Sequence, residues 1–428
     1  MSSYPRSNKS YKSKTKRRRL KHAQAHDPIK STKFFYGMLP RQDVEMMLLH
    51  NGEFLVRQTS ASGYRTKVIC ISARHAGQIH HVLIRRNSQG NVILEDLPFA
   101  TVDELVRYYV KKGKPLTKES GIILKKPVPR ADWIVRNYQI REICKLGEGN
   151  FGGVWKGVLT KQDRSVEEVA IKSLKSAHVE DEEKQEFFRE CRRQRQLHHP
   201  HVVKVIGLVI DADPPKMVME LCDYGLLEHL RQSTSPLELL EKLRLSLHII
   251  YGMEYLAEEC IIHRDLAGRN CLIKRNVLKI SDFGMARCGR VYKLEKMNTK
   301  LPLKWTAPDA MSLGIFTEKT DVWAFGVTLW ELFSDGAVPY ADLQKRYEDN
   351  FPAQLVRFLA EGNRLPPPAG APKEIYALME DCWAAEPNSR PTFKTIRVLT
   401  EAVYTKEGGT ISYTTPKKEN YDDYESIL

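Results

Sequence analysis

Two carboxylates and an amide stand close together in the second half of the chain, within His263-Arg264-Asp265-Leu266-Ala267-Gly268-Arg269-Asn270 and Asp282-Phe283-Gly284. Asp265, Asn270 and Asp282 offer oxygen donors, the ligands a hard divalent cation prefers. Upstream, Gly147, Gly149 and Gly152 form Gly-Glu-Gly-Asn-Phe-Gly, where backbone can approach a phosphate closely. Such glycines also open dinucleotide-binding folds, but there a helix follows and an acid comes about twenty positions on. Here a strand-like run, Val154 to Leu159, follows instead, and Val169-Ala170-Ile171-Lys172 brings a lysine where that pattern needs an acid. The chemistry these residues suit is phosphoryl transfer, which asks for metal-held phosphates, an oriented hydroxyl and stabilised charge, with little covalent work.

In order and spacing the set resembles the protein kinases. The resemblance implies that Asp265 accepts the proton of a substrate hydroxyl, that Asn270 and Asp282 hold Mg²⁺, and that Lys172 contacts the phosphates of ATP. It pairs Lys172 with Glu190, on a helical segment 181–197 that ends shortly before Pro200. It makes Met217 to Cys222 a strand and hinge, with Met219 as gatekeeper and the backbone at 220–222 facing adenine. The implied nucleotide pocket comprises Leu146, Gly147, Gly149, Gly152, Val154, Ala170, Lys172, Met219, Glu220, Cys222 and Leu272. Asp309 stands where glutamate is usual in Ala-Pro-Glu, so its ion pair with Arg390 is expected to be longer or water-bridged.

Arg269, four residues after Asp265, and the run Leu301-Pro302-Leu303-Lys304-Trp305-Thr306 resemble tyrosine kinases, where such a platform seats a phenol side chain. Arg269 joins the implied catalytic set. Gly268 replaces a usual alanine. Tyr292 falls at the position of an activation-loop phosphosite, and a phosphate there would meet the cation of Arg264 and order the loop.

A second domain precedes this one. Phe34-Phe35-Tyr36-Gly37, Arg41, a helical stretch 43–50 and Phe54-Leu55-Val56-Arg57, with strand-like runs at 67–72 and 80–86 and a helix at 101–110, resemble an SH2 domain. In that resemblance Arg57 grips a phosphotyrosine phosphate bidentately, helped by Arg41, Thr59 and His81. The join, Pro115 to Gly121 and on to Trp133, is similar to the Fes/Fer family of cytoplasmic tyrosine kinases. The resemblance covers about 34–400, without the family's long N-terminal membrane-bending and coiled-coil regions. It implies an α+β chain: an SH2 domain, with a central antiparallel sheet flanked by two helices, at 34–128, a linker at 129–139, and a bilobal kinase domain at 140–403. It also implies that the SH2 domain packs on the kinase N-lobe and supports its active state.

Composition frames the rest. Of a net charge of +14, residues 1–33 supply +10, with eleven Lys or Arg against Asp27 alone. Having almost no apolar residues, this segment is expected to be disordered. Its run Lys14 to Lys21 suits an anionic inner membrane surface, with a nuclear address as the alternative and no specific nucleic acid expected. The polar tail 404–428 carries Tyr413, Tyr421 and Tyr424, candidate phosphosites, and ends in a sequence resembling a PDZ ligand. No run of eighteen apolar residues exists, and the start reads as neither a signal peptide nor a myristoylation site. Eight cysteines without CxxC pairs fit a reduced, cytoplasmic protein. Expected partners are phosphotyrosine proteins and protein tyrosine substrates. An insertion at 345–354 is expected to lengthen a surface loop.

One position fits badly. Gln194 replaces the apolar residue expected one turn after Glu190, and a buried, unpaired amide there costs about 1–3 kcal/mol. Arg192, Arg193 and Arg195 beside it are expected to face solvent, where they could meet the SH2 domain or a substrate. The misfit, with a hinge exit lacking the usual ribose acid, keeps a catalytically weak scaffold as the rival function.

Overall fold

The computed structural model describes residues 29, 32–59, 68–95, 97–148, 152–175, 181–233, 235–294 and 301–411. Gly149, most of the basic segment including Lys14 to Lys21, and Tyr413, Tyr421 and Tyr424 lie outside the described residues.

Alternation along Phe54-Leu55-Val56-Arg57 organises the first domain, because successive strand side chains point to opposite faces. These residues lie on β1 (Glu53–Thr59), which pairs antiparallel with β2 (Val68–His75); β3 (Gln78–Arg86), β4 (Val92–Leu94) and β5 (Leu97–Phe99) extend the sheet on one side. Helices α1 (Arg41–Met47) and α2 (Val102–Lys112) flank it. Phe54 and Val56 enter a core with Ile71, Leu105 and Tyr109, while Leu55 enters a different core that the second domain shares. Helix α2 is delimited locally: Thr101 caps it by accepting from Glu104 N at 3.1 Å, and Gly113 ends it at φ 58°.

The join is built into both sheets. β6 (Lys126–Pro127) runs parallel to β1, and β7 (Ile134–Val135) runs parallel to β11 (Val205–Val209) in the next domain. Part of the expected linker is thus an edge strand of the second domain's sheet. That sheet adds β8 (Ile140–Glu148), β9 (Gly153–Thr160), β10 (Val166–Ser173) and β12 (Lys216–Glu220), in the order β7-β11-β12-β10-β9-β8. Helix α3 (Asp181–Arg195) packs against it.

Beyond the hinge come β13 (Tyr224–Gly225), α4 (Leu226–Gln232) and α5 (Leu239–Glu258), then the catalytic segment between β14 (Ile261–Ile262) and β15 (Cys271–Lys274). β16 (Val277–Ile280) completes a hairpin with β15, which places Asp282 two residues past its end. β17 (Arg287–Cys288) pairs with β14, and β18 (Val291–Lys293) pairs with β19 (Ile315–Thr317), so the activation segment is pinned on both sides of the catalytic loop. Helices α6 (Pro308–Leu313), α7 (Glu318–Phe333), α8 (Ala341–Arg346), α9 (Phe351–Ala360), α10 (Lys373–Cys382) and α11 (Phe393–Lys406) enclose an apolar core around Trp323, Phe325 and Phe393. Residues 345–354 correct the expected loop: they close α8, form a short 3-10 turn and open α9, because Phe351 is buried and Pro352 suits a first helical turn.

Candidate active site and phosphotyrosine pocket

Strand pairing brings several of the residues expected at the nucleotide together. Lys172 lies opposite Val154 across β9–β10, and Ala170 lies opposite Met219 across β10–β12. A Cβ on Gly152 would stand 1.8 Å from Ser173 O, so only glycine lets the chain pass there. The side chain of Glu220 turns away toward Lys274 and Lys279, both at 3.0 Å, which leaves its backbone and that of Cys222 as the hinge's polar edge. Burial pushes the Cys222 thiol up to about 12, so it stays protonated. Leu146 is exposed at the rim and Leu272 half-buried on β15.

Lys172 Nζ lies 2.6 Å from Glu190 Oε1 and 3.1 Å from Asp282 Oδ1. Burial opposes its charge, but the two carboxylates outweigh burial and hold its pKa above the usual lysine range. Burial likewise raises Asp282, and Lys172 with a bond from Gly284 N more than reverses this, keeping it an ionised oxygen donor. Asn270 donates through Nδ2 to Asp265 O at 2.7 Å and to Oδ2 at 3.0 Å. Its amide oxygen and the Asp282 carboxylate therefore make an all-oxygen donor pair, which fits Mg²⁺. Asp265 is 5% exposed; burial raises its pKa, with Arg269 and Asn270 working against this. Arg269 contacts Asp265 Oδ1 directly.

The loop bearing Asp265 hangs from Asp321, whose oxygens accept from His263 N at 2.7 Å and Arg264 N at 2.9 Å. Its far end is tied by Glu331, which accepts from Gly268 N at 2.8 Å and from Trp305 Nε1 at 3.0 Å. Arg269 stacks on Trp305 at 4.3 Å, so one buried acid and one cation join the catalytic loop to the platform. A Cβ on Gly268 would meet Leu227 Cδ2 at 2.7 Å, so an alanine there requires the Leu227 side chain to shift.

Tyr292 lies on β18 with Arg264 4.5 Å and Arg287 5.2 Å from its ring centroid. Arg264 donates from Nη1 to Met285 O, while its buried Nε and Nη2 have no partner. Burial, then Arg287, lowers its pKa to about 10.

In the first domain Arg57 is 5% exposed and donates to Ser72 Oγ and Leu39 O, each at 3.2 Å. His81 Nδ1 meets Ser72 Oγ at 2.9 Å; burial, then Arg57, lowers its pKa to about 4, so it is neutral. Thr59 ends β1, two residues beyond Arg57. Arg41 is engaged by Glu45 at 2.8 Å, and the same carboxylate lies 3.9 Å from His81 Nε2. Glu45 was not legible as a pocket residue, since only the pitch of α1 brings it there.

Three sequence expectations are corrected. Arg192, Arg193 and Arg195 do not form an open solvent face: Arg192 does meet the first domain, its Nε 3.1 Å from Asp43 Oδ1, but Arg193 meets Glu186 and Arg195 stacks on Trp133 at 4.5 Å. Gln194 is not wholly unpaired; Nε2 donates to Val203 O at 3.0 Å and only Oε1 lacks a partner. Asp309 reaches Arg390 directly at 2.5 Å, because Arg390 is buried and anchored by Ala384 O and Lys319 O. The join between the domains is apolar as well as charged. Tyr36, Leu39, Val44, Leu48 and Leu55 share a core with Phe187, Phe188 and Cys191 of α3, and Met38 N donates to Ile210 O at 2.8 Å.

A buried arginine on a central strand of the first domain, ahead of an intact Lys–Glu–Asp constellation in the second, points to the class: an SH2 domain ahead of a protein kinase domain. Residues 34–109 match the SH2 domain family, and residues 140–399 match protein tyrosine and serine/threonine kinases. The chain is 35% identical over 380 residues to Fer-related kinase 1 of Caenorhabditis elegans, covering 87% of this chain and 94% of that one. It is 34% identical over 375 residues to tyrosine-protein kinase Fer of Homo sapiens, 86% of this chain and 44% of that one. It is 35% identical over 374 residues to the transforming tyrosine kinase Fps of Fujinami sarcoma virus, 86% of this chain and 41% of that one. It therefore spans under half the length of the last two, and nearly all of the first. The chain belongs to the Fes/Fer family of non-receptor tyrosine kinases.

Proposed function

We propose that this chain transfers the γ-phosphoryl group of Mg-ATP to tyrosine in proteins, and that phosphotyrosine on a partner recruits and activates it through Arg57. The convergence of Lys172, Glu190 and Asp282 within hydrogen-bonding distance carries this reading. Bound Mg-ATP would supply the transferable phosphoryl group and its neutralising charge. Asn270 and Asp282 are the residues to hold the metal, and Lys172, fixed by Glu190, is the one to position phosphates. Asp265, its proton affinity raised by burial, would take the tyrosine hydroxyl proton as the oxygen attacks. Trp305 and its neighbours would seat the phenol, and phosphate on Tyr292 would supply partners for the buried Nε and Nη2 of Arg264.

Recruitment and catalysis share one body through α1 and α3. The α3 helix carries Glu190 toward Lys172 and Arg192 toward Asp43, so a docked SH2 domain restrains the helix that sets the active lysine. The basic residues 1–33 are proposed to meet an anionic inner membrane surface from the cytoplasm; a truncation lacking them that localises unchanged would refute that part. Among the described residues no helix is long and apolar enough to cross a membrane.

Phosphotransfer from Mg-ATP to a poly-Glu/Tyr peptide, wild type against Asp265→Asn, tests the activity. Loss in the variant with phosphate mapped to Tyr292 in wild type is expected. No transfer by wild type, even pre-phosphorylated and supplied with a phosphotyrosine peptide, would favour the scaffold.

A further inference from the structure

Glu186 stands one turn before Glu190 on α3 and takes no part in the pair to Lys172. Its Oε1 lies 3.0 Å from Arg287 Nη1 and 3.3 Å from Arg193 Nη2, with Arg189 Nη2 at 2.9 Å from Oε2. Arg287 belongs to the activation segment on β17, and its guanidinium also faces the Tyr292 ring. Arg193, Arg264 and Arg287 crowd one partly buried place, and Arg287 depresses the pKa of both others after burial itself. Like charges so close repel strongly where water is scarce. The Glu186 side chain, 17% exposed, is the carboxylate set among them.

We propose that Glu186 is a positioning residue that ties α3 to the activation segment before Tyr292 is phosphorylated, so that Glu190 stays against Lys172 in the unphosphorylated enzyme. The proposal rests on Tyr292 being the switch of an active tyrosine kinase. A phosphate on Tyr292 carries about two negative charges and would satisfy Arg264 and Arg287 itself. Removing Glu186 therefore matters before phosphorylation and little after it. The carboxylate supplies, in weaker form, the neutralisation that the phosphate later provides. Neither partner is near the other in sequence, so the tie exists only because folding brings the Arg287 side chain within reach of α3.

The test uses the full chain in two states, Tyr292→Phe and stoichiometrically phosphorylated at Tyr292. Each carries Glu186, Glu186→Gln or Glu186→Asp. The readouts are phosphotransfer to poly-Glu/Tyr peptide and amide hydrogen exchange of residues 181–195. Glu186→Gln is expected to slow the unphosphorylated form about tenfold and the phosphorylated form less than about twofold. It should also speed α3 exchange in the unphosphorylated form alone, with Glu186→Asp close to wild type in both readouts. Equal loss in the two states would overturn the proposal and make the residue merely structural, and so would unchanged α3 exchange in the unphosphorylated state. If wild type transfers no phosphate to tyrosine in either state, the catalytic reading fails, and exchange alone decides the tie.

Discussion

Replacing Arg192 with alanine strikes the joint between the two domains without touching either pocket. The Asp43 carboxylate is 5% exposed, faces Arg192 Nε at 3.1 Å, and lies beside Gln42, whose Oε1 accepts from Arg192 Nη1 at 3.1 Å. Burial raises the pKa of Asp43, and Arg192 and then Arg195 pull it back. Without Arg192 the carboxylate keeps its desolvation cost and loses its nearest compensating charge. Stranding one partner of a fully buried pair costs about 3–5 kcal/mol, and discounting for the partly exposed arginine leaves about 2 kcal/mol. That is about a thirtyfold shift of the docked–undocked equilibrium. The shared core of Val44, Leu48, Phe187 and Phe188 still favours docking, so a fall in basal rate of about threefold to thirtyfold is expected. The assay is initial phosphotransfer to poly-Glu/Tyr peptide, beside phosphotyrosine-peptide affinity, which should stay within about twofold because Arg57 is untouched. Asp43→Asn added to Arg192→Ala should recover much of the rate, since the stranded charge is gone. A single variant as fast as wild type, or a double variant whose losses simply add, would refute the coupling.

Gln194→Leu removes the orphan Oε1 but strands Val203 O; both penalties are about 1–3 kcal/mol, so the basal rate should change less than about fivefold. Gln194→Glu sets a carboxylate oxygen against that carbonyl and should lower both rate and melting temperature; an unaltered melt would contradict the geometry. Glu45→Gln frees Arg41 and removes a charge that repels phosphate, so calorimetry should find phosphotyrosine-peptide binding tighter by about threefold to tenfold. Unchanged affinity would mean that Glu45 swings clear at no cost. His201 and His248 stack at 4.4 Å, and burial lowers their pKa values to about 4 and about 3. The unfolded chain then binds more protons below about pH 6.5. Stability is therefore full above that pH and falls as pH drops toward 4, by about 2 kcal/mol for one such histidine at pH 5. Melting scans from pH 7.5 to 5 should show the fall, and His248→Gln should flatten it.

Much of the candidate site was legible as a cluster because its parts lie on short, rigid segments. Asp265, Arg269 and Asn270 share one loop, and Asp282 follows a four-residue strand, so backbone geometry alone nearly places them. The same holds for Arg57, which the alternation of β1 aims away from its own domain's core. What went unread depends on side chains reaching across long separations. Arg192 and Asp43, or Glu186 and Arg287, meet only when α1, α3 and the activation segment have packed.

The linear order of motifs thus determined the fold class and the set of candidate site residues, since each motif encodes its own local backbone. Only the tertiary structure decided which of the α3 arginines meets the SH2 domain and through which partner, that Gln194 is half satisfied, and that Asp309 reaches Arg390. Those outcomes turn on burial and on distances of a few tenths of an ångström, which desolvation and hydrogen-bond geometry set and which residue spacing does not contain.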